Sequence, residues 1–202
     1  MLLDKYLKKI DFKSYQEFKS EFEVTIPSGF NFAFDVVDET ARINPEKTAM
    51  VWCDDKGGEA VFTFGQMKYF SDKAANFFMS KGIRKGDPVM LILKRHYTFW
   101  FCTLGLNKIG AVTIPATHLL STKDIVYRNN AADIKMIVCV SDPDVIQHVE
   151  ESESSSPSLK CKALVGPGKD GWIDFSKGMD ESQEVFTRPC PAGSVRNDDT
   201  ML

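Results

Sequence analysis

The sequence predicts an α/β fold: a mostly parallel sheet flanked by helices, with a small β-hairpin and N-terminal helices. Three observations carry that prediction. Residues 88–93, 111–115 and 135–140 are continuous apolar runs, the pattern of strands buried on both faces. Segments with helical apolar spacing separate them, and strand–helix alternation at this spacing builds a parallel sheet with crossover connections. The chain has 202 residues, 43% of them hydrophobic and 26% charged, so it can bury a core without disulfide staples.

Residues 1–30 carry Leu3, Tyr6, Leu7 and Ile10 at helical spacing, followed by Tyr15, Phe18 and Phe22. Such a stripe cannot bury itself, so it predicts helical pieces lying on something larger. Asn31 is a candidate helix cap ahead of Phe34, Val37 and Ala41, and Pro45 ends that helix because it disfavours a helical Asn44. Residues 48–53 form a strand, 54–59 a turn and 60–62 the returning strand of a hairpin. Thr63, with Gln66 three residues on, is a capping box. Met67, Phe70, Ala74, Phe77 and Phe78 then form the buried stripe of a helix that Gly82 ends.

The parallel part follows. After the strand at 88–93 comes a largely apolar helix at 96–109, closed by Gly110. The strand at 111–115 precedes a helix that Ser121 and Asp124 start, carrying Ile125, Val126 and Ala132. The third strand, 135–140, leads to a helix opened by Ser141, Asp142 and Pro143, with the proline in its first turn. Residues 150–158 read as a solvated loop, and 162–165 as a fourth, shorter strand. The expected organisation is an N-terminal helical extension at 1–30, an α/β subdomain at 31–186 and a polar, Pro-rich linker at 187–202.

Composition excludes several functions. Lys+Arg 25 against Asp+Glu 28 gives a net charge of −3, with no basic excess to neutralise nucleic-acid phosphates. No apolar run approaches the roughly 20 residues of a membrane-spanning helix, and residues 1–6 lack the features of a signal peptide. Five cysteines (Cys53, Cys102, Cys139, Cys161 and Cys190) are scattered, and Cys53, Cys102 and Cys139 sit in apolar runs. Buried thiols of this kind suit a reducing compartment, so the expected location is the cytoplasm.

Site motifs are sparse. Residues 166–171 (Gly-Pro-Gly-Lys-Asp-Gly) lack the spacing of a phosphate-cradling loop, and Asp170 places negative charge where phosphate would sit. We read them as a β-turn. His96, His118 and His148 have no metal-ligand spacing, so no metal site is expected. No Gly-x-Ser-x-Gly elbow exists, and Leu93-Lys94-Arg95-His96 stands where a dinucleotide fingerprint would follow the first buried strand. Phe99, Trp100 and Phe101 read as helix-packing residues. Arg128 is the one candidate ligand-binding charge, because a guanidinium near a carboxyl sheet edge suits phosphate. Its plainer reading is an ion pair with Asp124 one turn earlier.

Several segments, in order, resemble the N-terminal part of the adenylate-forming (AMP-binding) acyl-CoA synthetases, acetyl- and medium-chain members above all. They are residues 31–38, 44–50, 62–67 (with Gly65-Gln66 where an acid is commoner), 82–89 (Gly-Ile-Arg-Lys-Gly-Asp-Pro-Val), 108–115 (Lys-Ile-Gly-Ala-Val-Thr-Ile-Pro) and 121–128. The resemblance implies the N-terminal subdomain of that fold. It implies a ligase reaction in which a carboxylate attacks ATP with Mg²⁺ present and CoA then displaces AMP. It places Arg128 near the CoA 3′-phosphate. It also implies that the family's Thr-Ser-Gly-Thr-Thr-Gly-x-Pro-Lys loop and C-terminal lid lie outside these residues. No catalytic residue is therefore expected here, and the chain alone is expected to be silent and to expose an apolar face prone to self-association. The alternative is a stand-alone, non-catalytic CoA- or nucleotide-binding or interaction module.

Overall fold

A computed structural model describes residues 2–189 and 195–202. The reading at Cys190 and the middle of the Pro-rich stretch lie outside them. Strand β1 (Thr48–Cys53) pairs antiparallel with β2 (Glu59–Thr63) as a hairpin, Val51 opposite Val61. Five further strands form one sheet: β3 (Pro88–Ile92), β4 (Val112–Pro115), β5 (Met136–Val140), β6 (Cys161–Val165) and β7 (Ile173–Asp174). They are all parallel, in the order β4-β3-β5-β6-β7.

The continuous apolar runs fill both faces of this sheet. Val89, Leu91 and Leu93 point into one core with Met136, Val138, Ala163 and Val165, where helices α3 (Phe64–Ser80), α4 (Thr98–Ile109) and α7 (Phe175–Asp180) cover the sheet. Met90 and Ile92 point the other way with Ile137, Cys139 and Leu164, under α5 (Thr122–Ala132) and α6 (Pro143–Ser152). Alternation of side chains across a strand places each residue, and burial on both sides removes the polar alternation a half-exposed strand would show.

Local chemistry sets the helix ends. Thr63 and Gln66 make the capping box that starts α3, Ser121 and Asp124 make one at α5, and the Asp142 carboxylate caps α6. Gly110 ends α4 at φ 73°, in the left-handed region. Asn31 accepts from the Phe34 N–H, and a wide π-helical turn at Ala33–Asp38 runs into α2 (Glu39–Ile43).

Four local expectations need correction. Residues 150–158 are not a loop: α6 continues to Ser152 and a 3-10 turn spans Glu153–Ser155, because Ser152 and Ser156 face inward and are buried. Strand β7 and helix α7 were not expected at all. The amino-terminal stripe stays half open, with α1 only at Tyr15–Glu21 and Leu3, Ile10, Phe18 and Phe22 exposed. Cys53 is exposed rather than buried, because a two-stranded hairpin has one face open to solvent.

The segment after α7 is tied to the body of the fold. Arg188 donates to Asp35 at 2.6 and 2.9 Å and to the Gly29 carbonyl, Asn197 bonds Pro27 and Phe30, and Val195 is buried. Asp199 pairs with Lys85 at 2.6 Å, and the Thr113 N–H donates to the Met201 carbonyl at 3.1 Å.

Candidate functional site

Open parallel sheets hold ligands outside the carboxyl ends of their strands, where the strand order reverses. Here β3 connects to β4 on one side and the remaining strands lie on the other, so the reversal falls between β3 and β5. The turn after β3 supplies Lys94, Arg95 and His96; the turn after β5 supplies Ser141 and Asp142. Lys94 adopts φ 52°, uncommon for a residue with a Cβ. Its ammonium donates to Asp142 Oδ2 at 2.5 Å. Asp142 Oδ1 accepts from the N–H groups of Asp144 and Val145 at 3.1 and 3.3 Å. The Lys94 ammonium, with these N–H donors, holds the Asp142 carboxyl below its usual range. The crevice is thus bridged by the chain's own ion pair.

The hairpin buttresses this edge. Trp52 Nε1 donates to the Arg95 carbonyl at 2.6 Å, and the His96 ring packs at a tilt against both Tyr97 and Trp52, which meet each other edge to face. Burial pushes the His96 pKa down, favouring the neutral imidazole, whose Nδ1 accepts from the Thr98 N–H. Beside the pair, between the ends of β3 and β4, lies an open cavity of about 310 Å³ lined by Leu91, Leu93, Lys94, Phe99 and residues 115–117. A larger one of about 880 Å³ lies elsewhere, between residues 27–30 with Asp35 on one side and Arg188, Pro189 and residues 195–198 on the other. Its Arg188 is committed to Asp35, so we place the functional edge at the strand ends.

The expected site residues fall as follows. Arg128 lies on the exposed face of α5, about 9 Å along the helix from its first residue at 1.5 Å per residue. Among the described residues it makes no ion pair within 4 Å. Asp124 is instead held by Ser121 at 2.7 and 3.1 Å, and the Arg128 charge adds only a lesser lowering to the Asp124 pKa. Lys169, in the turn at 166–171, is bound by Glu150, which also accepts from Trp172 Nε1. Among the described residues no group of three His, Cys, Asp or Glu side chains could hold a metal ion. Phe101 is buried, Phe99 half-buried and Trp100 exposed. Burial, aided by Asp142, pushes the Cys139 thiol up to about 12, and burial holds Cys102 well above its usual value. Neither thiol is poised as a nucleophile.

Sequence reasoning missed one charged centre. Lys108, with no exposed side-chain surface, donates to Asp72 at 2.6 Å and Asp38 at 2.9 Å, while Lys68 reaches Asp72 from outside. Burial pushes the Asp38 carboxyl up against the opposing pull of Lys108.

An open, doubly wound α/β scaffold with its working edge at the strand ends is the class these features define. The family model described as AMP-binding enzyme matches residues 37–202, and the chain belongs to that family. Acyl-coenzyme A synthetase ACSM4, mitochondrial, of Rattus norvegicus is 35% identical over 169 residues, covering 80% of this chain and 29% of the relative. Acyl-coenzyme A synthetase ACSM2A, mitochondrial, of Homo sapiens is 34% identical, covering 78% of this chain and 28% of the relative. The chain therefore spans less than a third of the curated relatives it matches. Among solved structures, the anthranilate CoA ligase AuaEII in complex with anthranoyl-AMP shares the fold at a TM-score of 0.75 and 19% identity, covering 86% of this chain and 32% of that one.

The expectation of a cytoplasmic protein is corrected by these relatives, which are named as mitochondrial and point to mitochondria rather than the cytoplasm. Free thiols fit any reducing compartment, so cysteine usage did not separate the two. No helix among the described residues is long and apolar enough to cross a membrane.

Proposed function

We propose that residues 31–186 form the amino-terminal subdomain of an ATP-dependent acyl-CoA synthetase, joining a carboxylic acid to CoA with release of AMP and pyrophosphate. The observation that carries this reading is the 35% identity to an acyl-coenzyme A synthetase across 80% of the chain, on a sheet with its open edge at the strand ends. The proposed division of labour follows from what the residues are. Adenylyl transfer from ATP to a carboxylate, with pyrophosphate leaving, needs cations and N–H donors aimed at developing charge, and the cation between β3 and β5, Lys94, is already paired with Asp142. The subdomain supplies a rigid sheet and a cavity wall, while ATP, Mg²⁺ and the acid are gripped by residues outside it. Val51 and Val61, opposite each other on the hairpin, are exposed, as are Leu119 and Tyr127 elsewhere; exposed apolar side chains of this kind suit cover by further protein, and self-association through such a surface is part of the proposal.

The 202-residue chain, mixed with ATP, Mg²⁺, CoA and a panel of short and medium carboxylates, releases no pyrophosphate on this reading. Turnover above the buffer blank overturns it. Arg128 is proposed to meet the CoA 3′-phosphate, and its exposed, uncommitted guanidinium supports that role. In a ligase carrying this segment, Arg128→Ala raises KM for CoA and leaves KM for dephospho-CoA unchanged; equal effects on both would refute the contact.

A further inference from the structure

The cavity of about 310 Å³ between the ends of β3 and β4 has a lining of two kinds. Leu91, Leu93, Phe99, Pro115 and Ala116 make an apolar wall, and among the described residues that line it Lys94 carries the only charge. Its volume of about 310 Å³ falls within the range that small-molecule sites occupy, roughly 300–1,000 Å³. Donors stand on the polar side. A lysine ammonium has three N–H groups, and the partner of Lys94 among the described residues is Asp142 Oδ2. Thr117 Oγ1 accepts from the Leu119 N–H at 3.3 Å, which leaves its hydroxyl hydrogen to donate.

The two members of the ion pair are not equally held. Asp142 is fixed, because its Oδ1 caps α6 through the N–H groups of Asp144 and Val145. Lys94 is tethered through Asp142 Oδ2, and the two side chains are 38% and 25% exposed, a setting in which an ion pair holds weakly. The turn does not depend on the pair. Lys94 sits at φ 52°, and the His96 N–H bond to the Leu93 carbonyl at 2.9 Å and the Trp52 Nε1 bond to the Arg95 carbonyl brace the backbone around it. The ammonium can therefore swing while the backbone stays. We propose that this cavity binds a compact organic anion, its apolar body against Leu93, Phe99 and Pro115 and its charged head on Lys94 and Thr117, with Asp142 as a built-in competitor that the ligand displaces. The lining sets the charge and size of the ligand, and a carboxylate or a phosphate monoester satisfies both. Nothing in this site draws on the ligase reading.

The test is titration of the 202-residue chain with hexanoate, hexyl phosphate and hexan-1-ol, followed by amide chemical shifts. At least one of the two anions should saturate a single site and shift the amides of Leu93, Lys94, Phe99, Ala116 and Thr117; the tighter of the two identifies the head group. Hexan-1-ol, which has no charge, should bind about tenfold more weakly or worse. Asp142→Asn is the sharpest variant, because asparagine caps a helix as well as aspartate does. It removes only the competing charge, so anion binding should tighten about fivefold or more. Lys94→Met should weaken it about tenfold or more; if that variant does not fold, the Asp142→Asn and hexan-1-ol results decide. Unchanged or weaker binding by Asp142→Asn overturns the proposal. So do hexan-1-ol binding as tight as the anions, shifts confined to other parts of the chain, or no saturable binding by either anion. None of these readouts involves ligase activity, so failure of the functional reading would leave the result standing.

Discussion

Lys108 shows how a residue ordinarily placed on the surface can become a structural centre. It lies on α4 among Leu104, Leu106 and Ile109, and its ammonium is enclosed by Asp72 of α3 and Asp38 of the π-helical turn. The Phe34 ring sits 5.3 Å from the same nitrogen. Removing one member of such a buried cluster leaves uncompensated charge, a loss of about 3–5 kcal/mol. Lys108→Met is therefore expected to lower the urea midpoint by that equivalent, while Lys108→Met with Asp72→Leu costs less than the two single changes summed. Strict additivity in a double-mutant cycle would show that the pair is not coupled. The cluster was illegible in the sequence for a definite reason. A lysine in a helix reads as solvated, and its partners stand 70 and 36 residues away. Arg128 was singled out instead, and its isolation on an exposed helix face is what a surface charge in a sequence looks like.

Helices α3 and α4 share the most extensive contact between elements, and Gly105 permits their close approach. A Cβ there would stand 2.8 Å from the Ala74 Cβ and 2.9 Å from the Ala75 backbone nitrogen. Helix propensity alone favours Gly105→Ala by about 1 kcal/mol, whereas overpacking costs about 1–3 kcal/mol. The contact is backbone and short side chain, neither able to rotate away, so packing wins and Gly105→Ala should lower the melting temperature. A rise would mean the helices are farther apart. Elements with a strong physical signature were legible: β3, β4, β5 and β6 as apolar runs, α3 and α5 from their capping boxes, α4 from its closing glycine. Strand β7 has two residues and α7 six, too few to show a period, and both follow a glycine-rich turn. Residues 150–158 misled because their Glu and Ser content signals solvent, yet the inward positions are filled by small serines that can be buried once bonded. Ser152 Oγ donates to the Val149 carbonyl, and Ser156 Oγ accepts from Asn129.

At the scale of the whole molecule, the fold class and the family were accessible from strand pattern and ordered motifs, but the ion pair that bridges the carboxyl edge was not. The ion pair between Lys94 and Asp142 joins residues 48 apart in sequence, and only the return of the chain across β3 makes them neighbours. Location was misjudged because thiol usage reports redox state and not compartment. What the sheet provides is a platform: two packed faces and a hairpin wedged under the turn after β3. The most direct measurement is acyl-CoA formation by a chimaera in which residues 37–202 replace the matching segment of the Rattus norvegicus acyl-coenzyme A synthetase ACSM4. The account predicts ATP-dependent thioester and pyrophosphate from the chimaera, with none from the 202-residue chain alone. A chimaera that keeps the parent's circular dichroism and cooperative melting yet forms no thioester from any carboxylate its parent accepts would contradict it.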